Sequence, residues 1–305
     1  MVIQRRQALQ MLLLGICATV LLLGLYTFFV KTAPGQRFDD LAFEGRKAVR
    51  LSTRRPATFL VHLLTIPFVV AGCVTTAVYS LWRKTSKTGL VAVASVGLTI
   101  LLARVLKGAL IRPELVDLAY ANSRNTFPSG HVAAVIAVLL AAVSSCEAQL
   151  RVFLAPVAAL FAAGYMFAML GSGWHRQSDV LAGLALAVAV ASIATASRLF
   201  LFEDSCTSSG IPEWLDKHLA QLVSLGLLRP LRVVAATSVG LAALVLLTQN
   251  PSSNESHSLL SYILVVVGCC SLGMTAVFVF AEILGCPKLL SEQETKTETQ
   301  FPKAR

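Results

Sequence analysis

Three short segments of this chain hold residues whose types and spacing could do chemistry. In His-Arg-Gln-Ser-Asp at 175–179, His175 and Asp179 are four apart and share one face of a helix. A carboxylate so placed holds one imidazole nitrogen protonated and leaves the other as a nucleophile or ligand. In Asn-Thr-Phe-Pro-Ser-Gly-His at 125–131, Pro128 and Gly130 break the chain just before an apolar run. Ser129 or a neighbour can cap the helix that follows, and the first-turn N–H groups then form an anion site. His131 at the same spot can give a proton to a leaving oxygen. In Lys-Gly-Ala-Leu-Ile-Arg-Pro-Glu-Leu at 107–115, Lys107 and Arg112 are two cations near a helix end that Pro113 marks. A guanidinium fits phosphate oxygens by its planar fork. Each segment alone has an ordinary structural reading as well: a polar helix cap, a loop-to-helix junction at a lipid interface, and cations that snorkel to headgroups.

The elements that must position these residues are membrane helices. Hydrophobic residues make up 56% of the chain and charged residues 14%, against roughly 25% charged in soluble domains. Apolar runs at 8–30, 57–82, 89–111, 128–146, 152–171, 179–200, 232–248 and 258–284 predict eight spanning helices. Strict period-2 alternation is absent, so the spans are helical and the fold class is all-α integral membrane protein. The first run follows Arg5 and Arg6 but is too long for the apolar part of a signal peptide, and it reads as an anchor. With the N-terminus inside, Arg5, Arg6, Arg83, Lys84, Lys87, Arg151 and Arg198 fall on the cytoplasmic side. The basic segment 31–56 disagrees with that orientation and reads as a solvated connecting loop outside. The net charge of +10 lies mostly in loops, as contacts to anionic lipid and topology signals require, and does not point to nucleic acid. Cys17, Cys73, Cys269 and Cys270 lie in apolar runs and Cys146, Cys206 and Cys286 in segments placed inside, a pattern of reduced thiols with no disulfide framework. On this map Lys107, Arg112, Ser129, His131, His175 and Asp179 all fall at helix ends on one side, the extracytoplasmic one. Ionisable groups that converge on one membrane face point to function. His62, His218 and His257 belong to no motif and read as structural or surface residues.

The order of a Lys…Arg-Pro segment, then Pro-Ser-Gly-His, then His-x-x-x-Asp resembles the type 2 phosphatidic acid phosphatase superfamily in its bacterial membrane-embedded form. Gly-Trp-His-Arg-Gln-Ser-Asp at 173–179 is similar to an actinobacterial-type subgroup. The resemblance covers about 89–190 by motif. It implies that His175 is a nucleophile forming a phosphohistidine, that Asp179 orients it, and that His131 protonates the leaving group. It also implies that Ser129, the Gly130 amide, Lys107 and Arg112 bind phosphate, without metal or cofactor. The implied organisation is a membrane-embedded six-helix phosphatase core at 1–200. A cytoplasmic connection follows at 201–230, two further helices at 231–285, and a disordered tail at 286–305.

Two positions depart from the family pattern. The family places seven steps between its Lys and Arg, whereas Lys107 and Arg112 are five apart, about 140° around an ideal helix. Arg112 joins Lys107 only if the helix ends before it. The family also carries an Arg six residues before the nucleophile, where this chain has Met169, and Arg176 or Arg124 is then the candidate replacement. The implied activity is hydrolysis of a lipid phosphate or polyprenyl diphosphate at the surface of the cell membrane. The alternatives are a phosphotransferase using the same site, a degenerate transporter or partner subunit, and a metal hydrolase with His131, His175 and Asp179 as zinc ligands.

Overall fold

The computed structural model describes residues 2–46, 51–116, 125–202 and 255–285. Among these the regular structure is all helical: α1 (Val2–Leu25, continued by a π-helical turn Tyr26–Val30), α2 (Ala33–Gly45), α3 (Leu51–Trp82), α4 (Ser86–Ala109), α5 (Gly130–Ser145), α6 (Ala148–Ser172), α7 (Gln177–Leu201) and α8 (Glu255–Ile283). The span expected at 232–248, the tail at 286–305 and Arg124 lie outside the described residues.

Among the described residues, six helices are long and apolar enough to cross a membrane: those containing Gln4–Val30, Thr65–Trp82, Ser86–Ala109, Leu150–Ser172, Gln177–Leu201 and Tyr262–Ile283. Their outward faces carry Leu9, Leu13, Val20, Leu90, Leu101 and Leu160, all exposed on the bundle surface. In water such a belt would be costly, and in lipid it is the expected solvent-facing surface. The chain is a multi-pass, all-α membrane protein.

α5 and α7 occupy the centre. Nearly every residue of α5 after His131 is buried, and α7 is the most enclosed of the long spans. α1 and α5 both pack on α7, α4 packs on α5 and α7, and α8 packs on α6 and α2. One continuous apolar core runs from Met11 through Ile136, Leu140, Met166 and Met169 to Val277 and Phe280. A hydrogen bond between Thr65 Oγ1 and Tyr165 Oη, 2.6 Å long, ties α3 to α6 inside this core.

Two features of the fold bear on the site. At 16 residues, α5 is only ~24 Å long, short of the ~30 Å hydrocarbon core. The end of α5 surrounded by polar partners is the Ser129–His131 end.

The second feature corrects the reading of 31–56 as a connecting loop. Residues 33–45 form α2, which packs over the end of the bundle against α8, α7 and the π-helical turn. Thr32 caps it, accepting from Gly35 N at 3.1 Å, and Pro34 sits in its first turn, where a missing N–H costs nothing. Its inward face carries Gln36, Asp39 and Ala42, all buried.

Candidate active site

The polar residues at this end are assembled by α7, the N-terminus of α5, the chain after α4, and α2. α6 ends at Gly173, whose φ of +71° only a residue without Cβ adopts easily. The turn Trp174-His175-Arg176 follows, and α7 starts at Gln177. Asp179 in its first turn accepts from the Arg176 N–H at 3.1 Å, as a capping carboxylate does. The same oxygen, Oδ2, accepts from Thr126 Oγ1 at 2.7 Å and lies 3.4 Å from His175 Nδ1. Engagement of Nδ1 leaves Nε2 as the imidazole nitrogen that Asp179 does not hold. Both residues are buried.

The start of α5 is stitched to α7 directly. Ser129 N donates to the Asp179 carbonyl at 2.9 Å, and Ser129 Oγ accepts from Val132 N at 3.4 Å. Ser129 is thus the N-cap of α5, and Gly130 is its first residue. The turn before it is held by Asn125, whose Nδ2 donates to the Leu110 and Phe127 carbonyls at 2.8 and 3.2 Å. His131, one residue into α5, faces His175 with ring centres 6.2 Å apart and Trp174 at 5.8 Å.

The cations converge on the same place by two routes. α4 stops at Ala109, and Leu110 turns to an extended conformation with its N–H on Leu106 O. Lys107 remains in the last helical turn, half-buried, within electrostatic reach of Asp179. Arg112 lies beyond the helix, so the five-residue spacing no longer sets its direction. Its side chain, 8% exposed, donates from Nη2 to Asp39 Oδ2 at 3.1 Å and places Nη1 3.6 Å from Asp179 Oδ1. Arg112 Nε and Nη1 have no hydrogen-bond partner.

Arg176, the candidate replacement for the family arginine, turns toward α2. Its Nη2 is 3.7 Å from Asp40 Oδ1 and its guanidinium lies 5.4 Å from the Phe43 ring centre. Position 169 itself belongs to the apolar core, where Met169 is fully buried.

α2 supplies the residues that the sequence reading missed. Asp39 accepts from Ser178 Oγ at 2.6 Å and from Ser178 N at 3.2 Å, besides Arg112. Burial, and next the like charge of Asp179, raise its carboxyl from the ordinary 3.8 to about 6, against the pull of Arg112, Ser178 and Arg176. Thr126 and Ser178 also join the site only in three dimensions. The local signal for α2 was a Thr32 cap followed by Pro34, with Gln36 and Asp39 at i,i+3 spacing.

Residues 88–202 match a family model described as the PAP2 superfamily. Over that segment the chain is similar to the PAP2 superfamily. No curated protein and no solved structure matches it. The PAP2 segment spans α4 to α7 and so contains Lys107, Arg112, Ser129, Gly130, His131, His175, Arg176 and Asp179. α2, with Asp39, lies outside it. Similarity to that superfamily implies phosphatase-type activity on phosphate esters.

Proposed function

We propose that this chain hydrolyses a lipid phosphate or polyprenyl diphosphate through a phosphohistidine, without a metal. The observation that carries the reading is the pair of facing imidazoles, 6.2 Å apart, with Asp179 behind one of them. His175 Nε2 attacks phosphorus, and the bond from phosphorus to the leaving oxygen breaks as His131 protonates that oxygen. Water then attacks the phosphohistidine with His131 as base, the N–P bond breaks, and inorganic phosphate leaves. Phosphoryl transfer asks mainly for positioning and charge neutralisation. Lys107, the Arg112 nitrogens without hydrogen-bond partners and the first-turn amides of α5 at Gly130 are the groups at hand for neutralisation. Ser129 holds those amides in place as the cap, and Arg176, beside Asp40 of α2, is a further cation at this end of the bundle.

The setting supports the lipid class. The histidines lie at the end of a short helix within an apolar bundle, so an acyl or prenyl chain stays in hydrocarbon while its phosphate reaches them. Outside the segment 31–56, the distribution of Lys and Arg between the loops favours a site on the extracytoplasmic face of the cell membrane that we take as its location.

The test is phosphate release by the purified full chain from phosphatidic acid and from polyprenyl mono- and diphosphates, with and without chelator. Release that survives chelation and is lost in His175→Ala supports the reading. No release from any of these lipids, or release unchanged in His175→Ala, sinks it. Transfer of the phosphoryl group to an added alcohol in place of water would assign the site to a phosphotransferase.

A further inference from the structure

Arg112 stands where helix geometry alone would not have put it to use. Had α4 continued, a five-residue step would have turned Arg112 about 140° away from Lys107. The helix ends at Ala109, and residues 111–115 have no regular structure. A long flexible cation on irregular chain has many rotamers to choose from, so something must select one.

α2 does this with two buried side chains on one face. Gln36 Nε2 donates to the Pro113 carbonyl at 2.7 Å, and Gln36 Oε1 accepts from Leu115 N at 3.2 Å. That grips the backbone on the far side of Arg112. Three residues on, Asp39 takes the Arg112 guanidinium by one nitrogen. The same carboxylate accepts from both the backbone and the hydroxyl of Ser178, the residue next to Asp179. One acidic side chain therefore fixes the arginine relative to the first turn of α7, which carries the His175–Asp179 pair. Arg112 is left with Nε and Nη1 without hydrogen-bond partners although the side chain is more than nine-tenths buried. Buried donors are normally paired, and a group that could use them is an anion.

We propose that Asp39, on a helix outside the PAP2 segment, is a positioning residue that aims Arg112 at the phosphate of the substrate. This rests on the reading of Arg112 as a phosphate ligand. Asp39 touches no reacting atom; it acts through Arg112 and Ser178. It also accounts for how the five-residue spacing coexists with an otherwise matching motif order: α2 supplies the orientation that helix phase supplies elsewhere.

The experiment compares wild type, Asp39→Asn, Asp39→Glu, Arg112→Lys and the double variant Asp39→Asn/Arg112→Lys as purified full chains. Two readouts are taken: kinetics on phosphatidic acid in mixed micelles, and protection against thermal unfolding by inorganic phosphate. Asp39→Asn is expected to lower kcat/KM about tenfold, mainly through KM, and to weaken phosphate protection. Asp39→Glu recovers part of both. In the Arg112→Lys background, Asp39→Asn adds less than about twofold, because the two residues act as one unit. Independent, multiplying effects, or wild-type KM and phosphate protection in a folded Asp39→Asn, overturn the proposal. If Asp39→Asn does not fold, Ser178→Ala takes its place: it loosens the carboxylate from α7 and must raise KM, and an unchanged KM overturns the proposal. A wild type that hydrolyses no lipid phosphate, yet is protected by inorganic phosphate with the same coupling between Asp39 and Arg112, removes the hydrolase reading and supports the positioning role. A wild type that phosphate does not protect overturns the positioning role.

Discussion

Arg112 and Arg151 sit at opposite ends of the bundle, and both are arginines placed among helix ends. Arg151 uses all three nitrogens on carbonyls: Nε on Val143 at 3.0 Å, Nη1 on Leu284 and Nη2 on Cys146, each at 2.8 Å. It closes the C-terminus of α5 and joins it to the end of α8. Near it Arg83 pairs with Glu147, and Arg198 donates to Thr88 Oγ1 at 3.1 Å. Arg112 spends one nitrogen on Asp39 and leaves two without hydrogen-bond partners. The first arrangement is what a cation does when its task is to hold helix ends together. The second leaves Nε and Nη1 without hydrogen-bond partners between two buried carboxylates, Asp39 and Asp179, with Nη1 3.6 Å from Asp179 Oδ1. The difference separates the end that holds the bundle from the end that carries the candidate site.

The largest effect expected at the candidate-site end is at the histidines. His175→Asn should lower phosphate release at least ~10³-fold and His131→Asn by ~10²–10⁴-fold, with little change in Tm. A Tm loss that accounted for either decline would place these histidines with the structural groups. The two arginines should then divide. Arg112→Lys keeps a charge for Asp39 but loses the fork, and should cost ~10²-fold or more in activity at nearly constant Tm. Arg151→Lys should do the reverse, lowering stability by roughly 1–3 kcal/mol through carbonyls left unpaired, while the folded fraction keeps its specific activity. Equal behaviour of the two variants would erase the contrast.

A smaller effect is expected where the candidate-site end is bolted to α7. A Cβ at Gly183 would lie 2.6 Å from the Ser129 carbonyl oxygen and 3.1 Å from Val132 Cβ. Gly183→Ala should therefore push the start of α5 off α7, costing about 1–3 kcal/mol and lowering activity with it. Gly97→Ala meets nothing within 4 Å and serves as the control with wild-type Tm and activity.

The smallest effect is a pH signature of Asp39. Its carboxyl is raised from 3.8 to about 6, so between those values the folded chain binds the proton that the unfolded chain has released. Stability from this group is full below the unfolded value and declines as pH rises through the folded one. Asp39→Asn removes that decline. Its Tm relative to wild type should thus rise from about pH 4 to about pH 6 and stay level above, in thermal melts across that range. A relative Tm that fell with rising pH would show the carboxyl depressed rather than raised.

Much of this was legible in the residues. Apolar runs placed α1, α4, α6, α7 and α8 to within a few residues, because a helix in lipid must satisfy its backbone alone and so needs only local sequence; the 57–82 run starts eight residues before Thr65, and the 128–146 run forms α5, shorter than a span. The candidate residues Lys107, Ser129, His131, His175 and Asp179 were legible for the same reason: each lies at the end of a run. α2 was not, since a 13-residue helix with Arg37, Asp39, Asp40 and Glu44 has no apolar run to announce it. Its helix-start signal at Thr32 and Pro34 was local and readable, but the two residues that matter on it bond far away in the chain. Asp39 meets Arg112 across 73 residues and Ser178 across 139. The same limit applies to Arg176, whose place beside α2 follows from no spacing in its own segment.

The sequence by itself determined that this is a helical membrane protein and that two histidines and an aspartate stand at helix ends on one side, in the order of the PAP2 superfamily. Those facts are local, carried by run length and by residues within one helical turn of each other. Only the tertiary structure decided how the imidazoles are set, that Ser129 is locked to the Asp179 backbone, and that Arg112 bonds to Asp39 on a helix the family match does not include. Such contacts arise from chain packing, where distance along the sequence carries no information about distance in space.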